Sequence, residues 1–327
     1  MIEENPNLIK VKKGGTRLDT YLKNHFGDKH TRSQITNSIN NGHTTLNGQK
    51  VKNGKIVERG DMILAQIENF DTPAIAENIP LDIIYEDSHL LVINKPKGMI
   101  IHPGAGVHGG TLLNALLHYF EIPFVTEPDT NYPTPETNNI SNQTVEHSKT
   151  LVRAGIVHRL DKNTSGLMIV AKTAQTQAKL SKMFETHEIK RTYVGLVEGS
   201  LQGQGTIKKN IIRDPNNRTR YKTDPTKGRH AITHYIALSH YRYGNRPLSL
   251  VQFNLETGRT HQIRVHMKSL NHPLVGDIEY NHSSTLKIEG QLLESVELSF
   301  IHPITTKQME FKIQPQMQSI IAKLAKI

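Results

Sequence analysis

The chain has 327 residues, no cysteine and no tryptophan, and its forty Lys and Arg against thirty Asp and Glu leave a formal charge of +10. The missing cysteines exclude disulfides, thiolate-bound zinc, iron–sulfur clusters and a cysteine nucleophile, and no apolar run approaches the roughly 18 residues that would span a bilayer. The basic excess suggests a polyanionic partner, most often nucleic acid, with a soluble basic enzyme as the plain alternative. The first residues, Met1 to Pro6, carry two acids and no apolar stretch, so no secretory signal and no membrane partner are expected, and a cytoplasmic setting fits.

Residues 1–65 hold eleven Lys/Arg and six Asp/Glu, half of the net charge. Leu18, Leu22 and Phe26 follow helical spacing, with Thr16 as expected cap and Asp19 in the first turn. A second helix runs from about Ser33 through Ile35 and Ile39 and stops at Asn41-Gly42. Thr44 to Leu46, the turn Asn47-Gly48, Ile56-Val57 and Met62 to Leu64 read as short strands with hairpin turns. The basic residues of this segment, among them Lys12, Lys13, Arg17 and Arg32, suit a polyanion-binding module; a solvated charged surface explains them equally well. Residues 66–90 then contain six acids and no Lys or Arg. That switch, with Pro73 and Pro80 inside it, predicts a linker over 66–80 and a second domain over 81–327.

The second domain opens on two strand-like runs, Leu81–Tyr85 and Leu90–Ile93, and a helix over Leu112–Phe120. Residues 126–150 are rich in Thr, Asn and Pro and poor in large apolar groups, which predicts a loosely packed polar insertion. Gly155–Val157 and Leu167–Val170 read as strands flanking a polar turn. A helix from Ala174 to about His187 follows, with Ala178, Met183 and Phe184 inward. Tyr193–Val197 and the alternation of Val251, Phe253 and Leu255 add strands. The whole reads as α+β, built on a mixed or antiparallel sheet.

Three clusters carry candidate chemistry. In Gly155-Ile-Val-His158-Arg159-Leu-Asp161-Lys162, the carboxylate of Asp161 is crowded by Arg159 and Lys162, which favours the ionised form and fits a nucleophile or base. Local sequence alone favours a structural Asp–Arg pair instead. In Glu256-Thr-Gly-Arg-Thr-His261-Gln-Ile-Arg264-Val-His266, a helix is expected from about Thr260 with Ile263, Met267 and Leu270 on its apolar face. Arg264 then borders the core and needs a carboxylate partner. His261 and His266, five apart, do not suit two ligands on one helix face, and no metal is expected. Residues 208–229 hold eight bases against two acids. Arg213, Arg218, Arg220, Lys222, Lys227 and Arg229 are expected to form a phosphate-contacting loop.

The sequence Gly155-Ile-Val-His-Arg-Leu-Asp-Lys-Asn-Thr-Ser-Gly-Leu-Met resembles the catalytic motif of RluA-family pseudouridine synthases. So do Ile79-Pro-Leu-Asp-Ile-Ile-Tyr-Glu-Asp, Ile93-Asn-Lys-Pro, His102-Pro-Gly-Ala-Gly, Leu113-Asn-Ala-Leu-Leu-His and Glu256-Thr-Gly-Arg-Thr-His-Gln-Ile-Arg-Val-His. The likeness covers about residues 79–124 and 150–280, and the first 65 residues resemble the alpha-L RNA-binding module. It implies a pseudouridine synthase fold and an RNA isomerase in which Asp161 is the essential aspartate. Tyr193 then stacks on the target base, Arg264 pairs with the aspartate, and Arg159 helps fill the gap left by a flipped nucleotide, with His158 beside it on the RNA. It implies a monomer that acts on structured RNA, large-subunit ribosomal RNA or its precursor particle first, in rRNA processing and ribosome biogenesis. The alternatives are a tRNA substrate or a non-catalytic ribosome-assembly factor. The chemistry includes no redox step, so no metal or organic cofactor is expected. The chain departs from relatives at Gly290-Gln-Leu-Leu-Glu-Ser295, where they often read Arg-Gln-x-Leu-His-Ala.

Overall fold

The computed structural model describes residues 7–30, 32–67, 74–104, 107–122, 124–125, 152–217 and 219–327. The expected insertion at 126–150, Arg218 and residues 68–73 of the expected linker lie outside the described residues. The chain divides into two compact units with a boundary between Pro73 and Ala74.

In the first unit, α1 (Leu18–Phe26) and α2 (Arg32–Asn41) pack on a sheet of β1 (Leu8–Lys10), β2 (Thr44–Leu46), β3 (Gln49–Lys50) and β4 (Met62–Ala65), in the order β1-β4-β2-β3. The helical stripe Leu18, Leu22, Ile35, Ile39 closes a small core with Ile9, Val11, Leu46, Val57 and Ile63. Asn47 and Gly48 both take positive φ, 51° and 75°, as a two-residue hairpin turn requires. Thr16 does not cap α1. The N-cap is Arg17, without a side-chain cap bond, because Thr16 is drawn into a strand pair with Val57. Asp19 sits in the first turn and accepts from the Thr20 amide and the Arg17 guanidinium.

The second unit begins at Ala74, ahead of the expected Leu81. Ala74-Ile75 pairs with Phe124-Val125, and the Glu77 carboxylate accepts from the Gly110 amide. Its main sheet contains β5 (Ile83–Glu86), β6 (Leu90–Lys95), β7 (Ser165–Ala171), β8 (Lys190–Glu198) and β9 (Gln204–Lys208). After a separate hairpin of β10 (Asn210–Arg213) and β11 (Tyr221–Asp224) come β12 (Ile232–Tyr243), β13 (Arg246–Leu255) and β14 (Leu293–Ile301). The order is β9-β12-β13-β8-β14-β7-β6-β5, antiparallel except where β7 and β14 run parallel. The expected α+β class on a mixed sheet holds.

Both faces of β6 and β7 are buried. Leu91, Ile93, Met168 and Val170 join a core with α3 (Leu112–Tyr119) and α5 (Gln262–Ser269), whereas Leu90, Val92, Leu167 and Ile169 join a second core with α4 (Ala174–Glu185). This is why both strands read as unbroken apolar runs. Thr111 and Asn114 cap α3 reciprocally.

Several local expectations change. Gly155–Val157 is not a strand: Val152–Gly155 form a 3-10 turn and only Ile156 bridges Val170, because Ala154 and Gly155 have φ of 47° and 77°. Ala178 is exposed; Thr176 and Leu180 are the buried residues of α4, and Ala178 lies about 200° round the helix from Leu180. Residues 208–229 fold largely as the β10–β11 hairpin rather than as an open loop. At the departure over 290–295, Gln291 donates to Thr164 Oγ1, and the Glu294 carboxylate accepts the Gln316 and Met317 amides. These bonds tie the polar turn and the C-terminal segment to the sheet, and burial raises the Glu294 pKa.

His266 on α5 is fully buried between Thr233 Oγ1 and the Lys209 carbonyl, and burial lowers its pKa to about 4. Burial also lowers His158 to about 3, with the Arg191 charge adding to the shift. Unfolding exposes both rings, which then take up protons near their ordinary value of about 6.5. Their contribution is therefore full above that pH and is lost as pH falls toward the folded values. Urea unfolding measured from pH 7 to pH 4 should show stability falling by up to about 1.4 kcal/mol per pH unit for each group. His266→Gln should flatten the slope; an unchanged slope would remove His266 as a cause.

Candidate active site

The polar turn after Ile156 is held from below. Gly155 and Gly166 bracket it with φ of 77° and 109°. A Cβ at Gly155 would lie 1.9 Å from the Ala171 carbonyl oxygen, and one at Gly166 would lie 2.1 Å from that of Ser295. No other residue fits either backbone. Thr164 N–H closes the turn on the Asp161 carbonyl, and Gly98 N–H donates to the Lys162 carbonyl. Lys95, fully buried at the end of β6, donates its ammonium to the carbonyls of Pro96, Met99 and Lys162. Burial pulls the Lys95 pKa to about 8, opposed by the Asp161 charge. The side chain that this turn presents is Asp161.

Arg264 meets it from α5. The guanidinium grips Asp277 through two bonds, Nε to Oδ2 at 2.7 Å and NH2 to Oδ1 at 2.8 Å, and reaches Asp161 Oδ2 with NH1 at 3.1 Å. Burial alone would weaken its proton, but the bonds to Asp277 and the two negative charges outweigh this and raise the Arg264 pKa. The Tyr280 ring lies 5.0 Å from the guanidinium carbon. The Tyr280 hydroxyl accepts the Tyr221 amide and bonds His261 Nδ1 at 2.8 Å. His261 Nε2 then faces Asp161 Oδ1 at 4.0 Å. One carboxylate oxygen of Asp161 is thus fixed by Arg264, and the other lies opposite His261.

The cleft has a volume of about 600 Å³, and Tyr193 of β8 lines it together with Asp161, His261 and Arg264. Tyr193 is buried, and burial raises its pKa, which keeps the phenol neutral. The three residues expected to carry the chemistry therefore come from β8, the polar turn and α5 to one place. Arg159 is exposed on the cleft wall. His158 differs from an open RNA contact: its Nε2 accepts the Ile169 amide, and its ring stacks on Phe184 with centroids 4.5 Å apart. Arg264 holds Asp161, the pairing that the resemblance implies, whereas neither Arg159 nor Lys162 makes an ion pair with it among the described residues.

The remaining basic residues are not equivalent. Lys12, Lys13 and Arg32 are exposed on the first unit, while Arg17 is spent on Asp19. On the hairpin, Lys222 is exposed, Arg213 stacks over Tyr221, and Arg220 pairs with Glu279. Asp277, Lys95 and Arg191 are the residues that sequence reasoning passed over. The demand of Arg264 for an anion was the available signal for Asp277. The quoted Ile93-Asn-Lys-Pro motif contained Lys95 without showing what it does.

Comparison with known proteins gives this arrangement a family. The RNA pseudouridylate synthase family matches residues 89–269, and the S4 domain matches residues 16–63. The chain is 40% identical over 313 residues to ribosomal large subunit pseudouridine synthase D of Yersinia pestis, covering 91% of this chain and 86% of that one. It is 37% identical to the protein of the same name from Vibrio vulnificus, covering 93% and 89%. It is 36% identical to the chloroplastic RNA pseudouridine synthase 2 of Oryza sativa subsp. japonica, covering 94% and 79%. In fold it resembles human RNA pseudouridylate synthase domain containing 1, with a TM-score of 0.56 at 23% identity over 77% of this chain and 91% of that one. A family match over more than half of the chain, joined to relatives of this identity along nearly all of it, means that the chain belongs to the RNA pseudouridylate synthases, isomerases that turn uridine in RNA into pseudouridine, and carries an S4 domain ahead of the catalytic unit.

Proposed function

We propose that the protein isomerises uridines in large-subunit ribosomal RNA, with Asp161 as the reacting carboxylate, Tyr193 as the stacking surface for the extruded base and Arg264 as the group that orients Asp161. The observation that carries this reading is the bond from Arg264 NH1 to Asp161 Oδ2 in a cleft that Tyr193 also lines. The reaction breaks the N1 glycosidic bond, turns the uracil and rejoins it to the ribose through C5. Asp161 either attacks the sugar or removes a ribose proton; both need an ionised, immobile carboxylate, which the Arg264 bond favours. Taking the base out of its stack costs a few kcal/mol. Stacking on Tyr193 offsets roughly 1–3 kcal/mol of that. In this reading Arg159, exposed on the cleft wall, fills the gap left in the RNA.

The rRNA target rests on relatives named ribosomal large subunit pseudouridine synthase D. A cytoplasmic enzyme acting as a monomer is the form we propose, in keeping with relatives named for ribosomal RNA; among the described residues no helix is long and apolar enough to cross a membrane. The first unit, which carries the S4 domain, supplies affinity through Lys12, Lys13 and Arg32, with a smaller part for Arg17, whose guanidinium Asp19 already holds. On the hairpin, Lys222 is the open contact, while Arg213 and Arg220 are held by Tyr221 and Glu279.

Asp161→Asn should lower pseudouridine formation by at least about a thousandfold. Tritium release from rRNA labelled at uridine C5 reads this, and binding of the same transcript should change less than about tenfold. Substantial release from the variant would sink the assignment. Replacing Lys12, Lys13 and Arg32 together by Gln should weaken rRNA binding and make log K less steep in log salt, by up to about 0.7–0.9 per lost phosphate contact. Binding indifferent to these changes across a salt series would move the RNA surface elsewhere.

A further inference from the structure

Among the described residues, one buried cation of the cleft has no carboxylate to answer it. Arg191 on β8 is 7% exposed, and its Nε has no hydrogen-bond partner. Among the described residues no carboxylate lies within ion-pair distance of it, although the equally buried Arg264 of the same cleft holds two. Two of its neighbours are uncharged. The guanidinium carbon lies 5.5 Å from the centre of the Phe184 ring. His158, beside it, is kept uncharged, its pKa lowered to about 3 by burial and by the arginine itself. Gly258 makes room for the guanidinium: a Cβ there would lie 2.8 Å from Arg191 NH1. The backbone of Gly258 has no positive φ, so a side chain there would crowd only the tip of Arg191.

A buried guanidinium without a counter-ion is costly, and an aromatic face recovers only part of that cost. The arrangement makes sense if the counter-ion arrives with the substrate. Arg191 and Tyr193 are two residues apart on β8, about 6.6 Å along the strand, with a register shift against β14 between Thr192 and Tyr193. Both line the cleft. The formal anion of RNA is its phosphodiester, whose two free oxygens match the planar fork of a guanidinium.

We propose that Arg191 binds a phosphodiester of the RNA next to the nucleotide stacked on Tyr193, so that base and backbone are gripped from one strand. This deepens the reading of Tyr193 as the stacking residue and rests on it. Arg191 is a positioning residue for the substrate, not a reacting group. A bound phosphate there also supplies the charge that the fold withholds.

The test uses the full-length enzyme and a large-subunit rRNA transcript. Binding of wild type, R191M and R191K is measured across a KCl series, together with thermal unfolding and tritium release. R191M should bind at least tenfold more weakly in low salt, with the slope of log K against log salt reduced by about 0.7–0.9, one phosphate contact. Its melting temperature should not fall, since an apolar side chain replaces an unpaired buried charge. R191K should keep the slope and recover part of the affinity. A slope unchanged in R191M overturns the proposal, and a lower melting temperature with that unchanged slope assigns Arg191 to the fold alone. If R191M does not fold, R191Q gives the same comparison. Failure of the catalytic assignment is a separate outcome: it shows as tritium release surviving in Asp161→Asn, and it leaves the comparison of salt slopes intact.

Discussion

The site depends on one guanidinium shared by two carboxylates. Arg264 spends two donors on Asp277, which is fully buried, and one on Asp161, which is not. The asymmetry matters. A cation bound only to Asp161 would swing with it, and a cation bound only to Asp277 would leave the Asp161 carboxylate loose. Anchored twice on Asp277, the guanidinium becomes a fixed point against which Asp161 is located. Removing one partner of such a buried cluster typically costs about 3–5 kcal/mol, because the remaining charges stay buried without compensation. The cluster is thus both an orienting device and a point at which the fold is intolerant.

The other half of the geometry is the rigidity of the turn that carries Asp161. Its backbone is fixed by steric demands at Gly155 and Gly166 and by the Lys95 ammonium beneath it. Lys95 can afford burial because three carbonyls take its donors and the Asp161 charge lies near. Polar groups of the turn are therefore answered from β6 and, through Gln291, from the segment leading into β14. A loop that must hold one carboxylate in place is tied to the two strands that flank β7 in the sheet. A free loop would lose that position to conformational entropy.

The sequence made some of this legible and hid the rest for physical reasons. The apolar runs of β6 and β7 were readable as strands because both faces are buried, and Arg264 announced its need for an anion by its place on an apolar helix. Asp277 was hidden because its role exists only across thirteen residues of turn and helix, with no local period to reveal it. Lys95 was hidden because a lysine at a strand end normally reads as a solvated charge. Gly155–Val157 looked extended by composition, but left-handed backbone at Ala154 and Gly155 broke the run. Ala178 looked inward because alanine is apolar, whereas the stripe Thr176, Leu180, Phe184 fixes the buried face of α4.

The charge of +10 also changes meaning when each cation is placed. Arg17, Lys172, Lys182 and Arg220 are paired with Asp19, Glu86, Glu185 and Glu279. A phosphate must compete with those carboxylates before it gains anything from these residues. Arg159, Arg191 and Arg229 line the cleft without a carboxylate among the described residues, and Arg259, beside Arg229, has its pKa lowered by burial and by that neighbour. Like charges held close together are unfavourable in the free protein, and that cost is relieved by an incoming polyanion. Net charge counts paired and unpaired cations alike, whereas counterion release on binding RNA depends on the unpaired ones. The distribution that matters for recognition is therefore set by which cations the fold leaves without a carboxylate; among the described residues these include Arg159, Arg191 and Arg229 in the cleft that holds Asp161 and Lys12, Lys13 and Arg32 on the first unit.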